Sequence, residues 1–565
     1  MADGNDDSAR RLRDISPRMV VVAFLLLACF VVQASIAARR DSVTIDEFVH
    51  LPVGLYSIYT GDFRPDPINP PHTRMIAALG LLSNPPAFNP EKGAPHWGMG
   101  YQLMQLNADT YQDIFVRGRS MIIVLAVLVG ILVFVWAHAL YGAEAALAAL
   151  FLFAFSPSML AHGHLVTLDL AGALGFVLTA FATWRLLDRP SIARAAVAGA
   201  ALAVATLLKL SGFVLVAAVV VLVAIRAFTE RKRDDPSPAH WLGLLSTSGL
   251  STLFVLNAGY AFDGTLAPLS AATLAPGGLL AGLAADHPWL RLPVPIPFIN
   301  GVDMILNVGK EQEPSFFLAG TLSSEGWWYY HLAAFAMKSP TVLVLLTFLS
   351  FGAWMTGNAP GKRVYCVFVP VALLFASNSM FNSLQIGVRH VLSVYPLLFV
   401  AAAPWVVRGM RAYSSERRRV WAYVTAVGLL WYAGATLAVA PRYLQYFNEP
   451  AGGASGGHEM LVDSNIDWGQ DLLRLSEYMD DEGIERINLA YFGRVHPNVY
   501  GINFVPLEDP SARGKTAISA TFLMGRPYFW YKRGRMGWVK HNTYTWLQEH
   551  EPIARAGSMF IYDLP

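Results

Sequence analysis

The chain is a series of long apolar runs separated by polar segments of very unequal length. The runs lie near 20–38, 118–140, 144–161, 168–187, 193–208, 212–228, 241–260, 340–357, 364–379, 390–407 and 420–440, and they are continuous, not alternating. A membrane-crossing helix needs about 20 mostly apolar residues, within a range of about 17–25. The pattern therefore predicts eleven transmembrane helices, with 193–208 and 364–379 the shortest. Strands of a membrane barrel would alternate apolar and polar positions, so a closed barrel is excluded. No period of 20–50 residues recurs.

The segments between the runs set the domain plan: an N-terminal stretch 1–19, a membrane domain 20–440 with long loops 39–117 and 261–339, and a tail 441–565. Both loops are rich in Pro, Gly and aromatic residues, as in Pro85-Pro86 and Pro293-Val294-Pro295-Ile296-Pro297, and are expected to carry short interfacial helices. In the tail, Ala517–Leu523 and Ser558–Tyr562 have the pattern of strands and Gln470–Met479 that of an amphipathic helix, which predicts a small α/β domain.

Lys and Arg fix the expected orientation. Arg10, Arg11, Arg13 and Arg18 precede the first run; Arg185, Arg189 and Arg194 fill one alternate loop, and Arg226, Arg231, Lys232 and Arg233 the next. Lys362 and Arg363, then Arg408, Arg411, Arg417, Arg418 and Arg419, complete the series. With eleven spans all of these fall on one side, so the N-terminus is expected in the cytoplasm and the tail outside. The first run ends in Ala34-Ser35-Ile36-Ala37-Ala38, a small-residue stretch like a signal-peptidase site, and is read as a retained helix.

Composition agrees with a lipid environment. Hydrophobic residues make up 54% of the chain and charged residues 15%, against about a quarter charged in ordinary soluble domains. A net charge of +2 without a long basic tract gives no reason to expect a nucleic acid partner. Cys29 and Cys366 both lie inside apolar runs and are read as packing residues, neither a disulfide nor a metal site.

Ionisable groups inside a bilayer are costly and need a reason. Here they gather at the outer ends of the runs: Asp46, Glu47 and His50; His162, His164 and Asp169; Lys209; Lys338; Arg389 and His390. Such a layer of acids, imidazoles and cations suggests a site at the outer membrane surface. Asp46-Glu47 is read as chemistry more than as solvated loop. His162 and His164 stand equally as interfacial hydrogen-bonders, Asp169 as a helix N-terminal acid, and Lys209 and Lys338 as cations that snorkel to head groups. His162 and His164 are two apart, a poor spacing for zinc.

The ordered motifs resemble a known family. They are Thr44-Ile45-Asp46-Glu47-Phe48-Val49-His50, Gly61-Asp62-Phe63, Asn69-Pro70-Pro71, Ser156-Pro157, and Ala161-His162-Gly163-His164-Leu165-Val166-Thr167-Leu168-Asp169. They continue with Leu207-Leu208-Lys209-Leu210-Ser211-Gly212, Trp328-Tyr329-Tyr330, Lys338-Ser339-Pro340, and Gly387-Val388-Arg389-His390-Val391-Leu392. The tail adds Tyr446-Phe447-Asn448-Glu449 and Asp463-Ser464-Asn465-Ile466-Asp467-Trp468-Gly469-Gln470-Asp471. The set resembles the polyprenyl-phosphate-dependent glycosyltransferases of family 39, which have the C-type membrane fold. Protein O-mannosyltransferases and the lipid A aminoarabinose transferase belong to that family, and the tail is similar to a bacterial subgroup.

The resemblance implies an inverting transfer of a hexosyl or pentosyl group. The donor would be a polyprenyl-phosphate sugar and the acceptor a hydroxyl on a lipid, glycan or protein, at the outer face of the bacterial inner membrane. It makes Asp46 the base and Glu47 its support. Arg389 and Lys338, with Lys209 or Arg119, would be cations for the phosphate, and His50, His162, His164, Asp169, Tyr330 and His390 would be substrate contacts. No cofactor is required by the motifs; a divalent ion, magnesium or manganese, on the phosphate stays open. One departure is Ile68-Asn69 before the double proline, where the aminoarabinose transferase has Glu-Lys, with His72 following the prolines; Asp66 is near but out of register. A transporter or lipid flippase is the alternative, but it usually has repeat-related halves and polar groups at mid-membrane. A sensor would need a cytoplasmic output domain, for which no loop on that side is long enough. In the tail, Asp463, Asp467, Trp468 and Asp471 are read either as a carbohydrate surface or, preferably, as an ordinary helix N-cap arrangement.

Overall fold

The computed structural model describes residues 15–230, 237–307, 316–361, 363–381, 384–411, 416–532 and 535–565. Arg10, Arg11, Arg13, Arg231, Lys232, Arg233 and Lys362 lie outside these residues, as do the side chains of Arg417 and Arg418. Among the described residues, seven helices are long and apolar enough to cross a membrane: Pro17–Arg40, Ala108–Tyr141, Asp169–Asp188, Leu210–Phe228, Pro238–Gly259, Val388–Met410 and Arg419–Ala438. Four shorter apolar helices, Ala143–Ala154, Ile192–Leu208, Thr341–Met355 and Tyr365–Met380, fall on the remaining predicted runs.

Local chemistry sets several of the boundaries. Ser156 Oγ accepts from Met159 N, Ser191 Oγ from Arg194 N and Ser237 Oγ from His240 N, so each serine caps a helix start. Pro157 and Pro238 then occupy the first turn, where no backbone N–H is needed. The Ser156-Pro157 start splits the predicted 144–161 run into Ala143–Ala154 and the short Pro157–His162 helix. Small residues allow the helices to cross closely: a Cβ on Gly199 would strike the Ser248 carbonyl, and one on Gly175 would strike Ala205.

Val20, Val21, Phe24 and Leu25 on the first helix, and Val420, Trp421, Val424, Val427 and Leu430 on the last, are each more than half exposed. A belt of that size is expected to face lipid. At one end of the bundle Arg363 bridges Asp188 at 2.8 Å and Glu230 at 3.2 Å. The other end carries the long segments. The first folds into Ile45–Thr60, Pro71–Leu79 and His96–Leu106. The second holds Leu279–Asp286, Ile296–Asn307, Tyr330–Lys338 and a hairpin of β1 (Phe316–Leu318) and β2 (Thr321–Ser323).

The tail contains a five-stranded mixed sheet. β3 (Ile487–Ala490) runs parallel to β4 (Phe504–Pro506) and β5 (Gly514–Ser519). β9 (Met559–Leu564) runs antiparallel to β5 and to β8 (Ala554–Ala556). A separate hairpin joins β6 (Tyr528–Lys532) to β7 (Arg535–Val539), and the amphipathic helix spans Leu472–Asp481. The chain is thus a polytopic helical membrane protein with a small α/β C-terminal domain.

Candidate functional site

The acidic pair begins the helix that follows the first span. Thr44 N and Thr44 Oγ1 both reach Glu47 Oε2, at 3.1 and 3.0 Å, and so fix the helix start. Glu47 is fully buried. Arg119 grips it with two bonds, Nε to Oε1 at 2.8 Å and Nη2 to Oε2 at 2.7 Å, and Val166 N donates to Oε1 at 2.9 Å. Burial alone would raise this carboxyl; Arg119 and the backbone donors hold it below the usual range. Arg119 also donates to the carbonyls of Ala38, Asp41 and Ser42, so its guanidinium is fully used by the fold.

Asp46 faces elsewhere. Its Oδ2 meets Arg389 Nη1 at 2.5 Å, and the same Nη1 lies 3.8 Å from Asp169 Oδ2. Lys209 Nζ donates to Asp169 Oδ1 at 2.6 Å. Four segments distant in sequence thus converge in one alternating string, Asp46, Arg389, Asp169 and Lys209. The guanidinium of Arg389 stacks on the Trp468 indole, 4.3 Å from the ring centroid. The Asp46 side chain stays 24% exposed, against 5% for Asp169 and none for Glu47. An open carboxylate beside partly buried cations can accept a proton while the cations hold an anion.

The other residues expected at the site divide into two groups. His162 packs edge-on to Trp468 at 6.1 Å, and burial pushes its imidazole down to about 3, so it is neutral. Among the described residues, its Nδ1 is buried without a hydrogen-bond partner, as are Arg389 Nε and His390 Nε2. His50, His164, Tyr330 and Lys338 instead spend polar atoms on the scaffold. His50 Nδ1 donates to the Val166 carbonyl at 3.1 Å. His164 meets the Leu160 carbonyl at 2.8 Å and Asp41 Oδ2 at 2.9 Å. The Tyr330 hydroxyl accepts from Asn465 Nδ2 at 3.2 Å. Lys338 Nζ donates to the carbonyls of Leu444, Tyr446 and Asn465 at 2.8, 2.5 and 2.6 Å and lies over the Phe447 ring. Burial pushes the lysine well below its usual range, while three acceptors favour the ammonium.

The tail differs from both of its sequence readings. Asp463, Asp467, Trp468 and Asp471 are all buried, so they form no open carbohydrate surface. Nor do they form a simple N-cap: Asp463 pairs with Arg526 and starts a 3-10 turn, while Asp471 accepts from Arg474 and Ser558. Of the residues around the double proline, Asp66 pairs with Arg74 at 2.9 Å and His72 Nε2 donates to the Gly259 carbonyl at 2.9 Å. Asp41, Arg474 and His331 were not legible as site neighbours, since nothing in their local pattern marks them.

A resident divalent ion fits the residues poorly. Asp46 and Asp169 are each already matched to cations of the chain. Among the described residues, no three His, Cys, Asp or Glu groups come together in a metal-holding arrangement.

Residues 104–253 match the family model of the dolichyl-phosphate-mannose-protein mannosyltransferases. No protein of curated function matches the sequence. Among solved structures, ArnT from Cupriavidus metallidurans bound to undecaprenyl phosphate is similar at 14% identity, with a TM-score of 0.46 over 96% of this chain and 97% of that one. The archaeal oligosaccharyltransferase AglB from Archaeoglobus fulgidus, in complex with an inhibitory peptide and a dolichol-phosphate, is similar at 11% identity, with a TM-score of 0.43 over 92% of this chain and 74% of that one.

Proposed function

We propose that this chain is an inverting glycosyltransferase that moves a sugar from a polyprenyl-phosphate carrier to an acceptor hydroxyl at the non-cytoplasmic face of the bacterial inner membrane. The observation that carries the reading is the string of Asp46, Arg389, Asp169 and Lys209, with its one end, Asp46, open. A lipid phosphate brings negative charge and takes up more as the glycosidic bond breaks. Arg389 and Lys209 are the cations of the cluster suited to it, because Arg119 and Lys338 are saturated by the fold. Preorganised donors at the point where charge develops are usually the largest catalytic contribution.

In the ground state Arg389 neutralises Asp46. A phosphate arriving at Arg389 competes for the same guanidinium and frees the carboxylate to act as a base. The acceptor hydroxyl gives its proton to Asp46 as its oxygen bonds to the anomeric carbon. The carbon–phosphate oxygen bond breaks on the opposite face, and its electron pair stays on the phosphate, which inverts the anomeric centre. Glu47 and Arg119 position the helix that carries Asp46. A carrier tail requires an apolar groove. The apolar cleft of about 490 Å³ between Thr341–Met355 and Glu416–Ala438, lined by Val342, Leu345, Val424, Val427 and Trp431, includes no residue of the charged string among its lining.

Asp46→Asn is the central test. Loss of a positioned base is expected to lower turnover by roughly 10²–10⁴-fold, with membrane insertion and carrier binding retained. Product mass spectrometry after incubation with a panel of polyprenyl-phosphate sugars reads both the activity and the sugar. Near-normal turnover by this variant would assign the base elsewhere, with Asp169 the next candidate.

A further inference from the structure

Beside the charged string lies a pair of imidazoles that it does not use. His331, in the Tyr330–Lys338 helix, meets His390 edge-on, with ring centroids 5.7 Å apart and planes at 70°. His331 is 1% exposed. Among the described residues, the Nε2 atoms of both rings are buried and have no hydrogen-bond partner. Buried polar atoms in native proteins are nearly always satisfied, so two adjacent exceptions need an explanation. Both rings are held firmly: Tyr330 packs on His331 at 5.2 Å and is itself tied to Asn465, while His390 follows Arg389 on the same turn.

We infer that His331 and His390 together form the wall that holds the donor's sugar, through ring hydroxyls and not through phosphate. The inference rests on the glycosyl-transfer reading above. Its basis is a division of chemistry. Phosphate only accepts hydrogen bonds and carries negative charge, so it suits Arg389 and Lys209. A sugar hydroxyl both gives and accepts, and a neutral imidazole does the same. Burial pushes His331 down to about 4, so at neutral pH it offers one N–H and one lone pair. Among the described residues, no third His, Cys, Asp or Glu joins the two imidazoles in a metal-holding group, so they fall short of a zinc site. The wall directly follows Arg389 in the chain, so a sugar against it would adjoin a phosphate on that arginine.

The test compares carriers with and without sugar on the purified full chain. Affinities are measured for undecaprenyl phosphate and for its mannose, glucose and arabinose derivatives, for wild type, His331→Phe and His331→Gln. Wild type is expected to bind one sugar-bearing carrier more tightly than the bare one. His331→Phe keeps the ring volume and should lose about tenfold on the preferred derivative, of the order of one hydrogen bond, with bare carrier affinity unchanged. His331→Gln, which restores a donor and an acceptor, should recover part of the loss. Equal weakening toward bare and sugar-bearing carriers would make the histidine a packing or phosphate residue and overturn the inference; so would no weakening at all, or a wild type that does not distinguish the carriers. A wild type that binds none of the four would overturn the glycosyl-transfer reading itself.

Discussion

Asp46 and Glu47 are about 100° apart around their helix. That rotation turns one carboxylate toward Arg389 and the other into the bundle toward Arg119. The second pair is completely desolvated. Such a pair adds little net stability over an apolar substitute, but removing one partner strands the other and costs about 3–5 kcal/mol. Glu47→Gln is therefore expected to destabilise the protein by about that amount, read as a lower thermal midpoint in detergent. Asp46→Asn, whose partner Arg389 keeps Asp169 nearby and Trp468 beneath it, should leave the midpoint nearly unchanged. If Glu47→Gln unfolds like wild type yet abolishes turnover, Glu47 belongs to the chemistry and not to the scaffold.

Helix crossings decide where that acid sits. The Ile45–Thr60 helix rests on Pro71–Leu79, and a Cβ on Gly54 would strike the Arg74 carbonyl. Forcing extra volume into such a contact typically costs about 1–3 kcal/mol. Gly54→Ala is thus expected to lower the thermal midpoint and to reduce turnover by shifting Asp46 away from Arg389; full activity in this variant would show that the crossing does not set the site. The apolar runs were legible because length and hydropathy determine what fits in a bilayer, although among the described residues seven of the eleven are helices long enough to cross one and four are shorter. The break at Ser156-Pro157 shows how a capping pair overrides an otherwise continuous run. Within the site, sequence identified the ionisable residues but not their partners. Lys338 and Lys209 both read as cations at an outer helix end, yet Lys338 is consumed by three carbonyls whereas Lys209 pairs with one carboxylate in the charged string. Trp468 read as part of either a carbohydrate surface or, preferably, a helix N-cap arrangement, and instead lies buried under Arg389. Such distinctions depend on residues hundreds of positions away, which no local pattern encodes.

At the scale of the whole molecule, the tail is joined to the bundle at the site itself. Arg474 Nη2 and His164 Nε2 both reach Asp41, at 2.7 and 2.9 Å, linking the tail, the turn after the Pro157–His162 helix and the end of the first span. Ser42 N and Ile45 N donate to the carbonyls of Gln470 and Trp468, at 2.9 and 3.1 Å. Asn465 receives Lys338 on its carbonyl and Val388 N on its side chain. Removing residues 455–565 would leave the backbone bonds within the spanning helices intact, so insertion is expected to survive, as cysteine accessibility from either side would report. Turnover should not survive, because the cut also removes the aromatic face under Arg389 and the acceptor of Ile45 N. Trp468→Ala in the full chain isolates the first of these losses. The indole–guanidinium contact is worth about 0.5–2 kcal/mol, so weaker carrier binding with the fold retained is the expected result. A truncated chain that still transferred sugar at the wild-type rate would reduce the tail to a cap and place the whole site within the membrane domain.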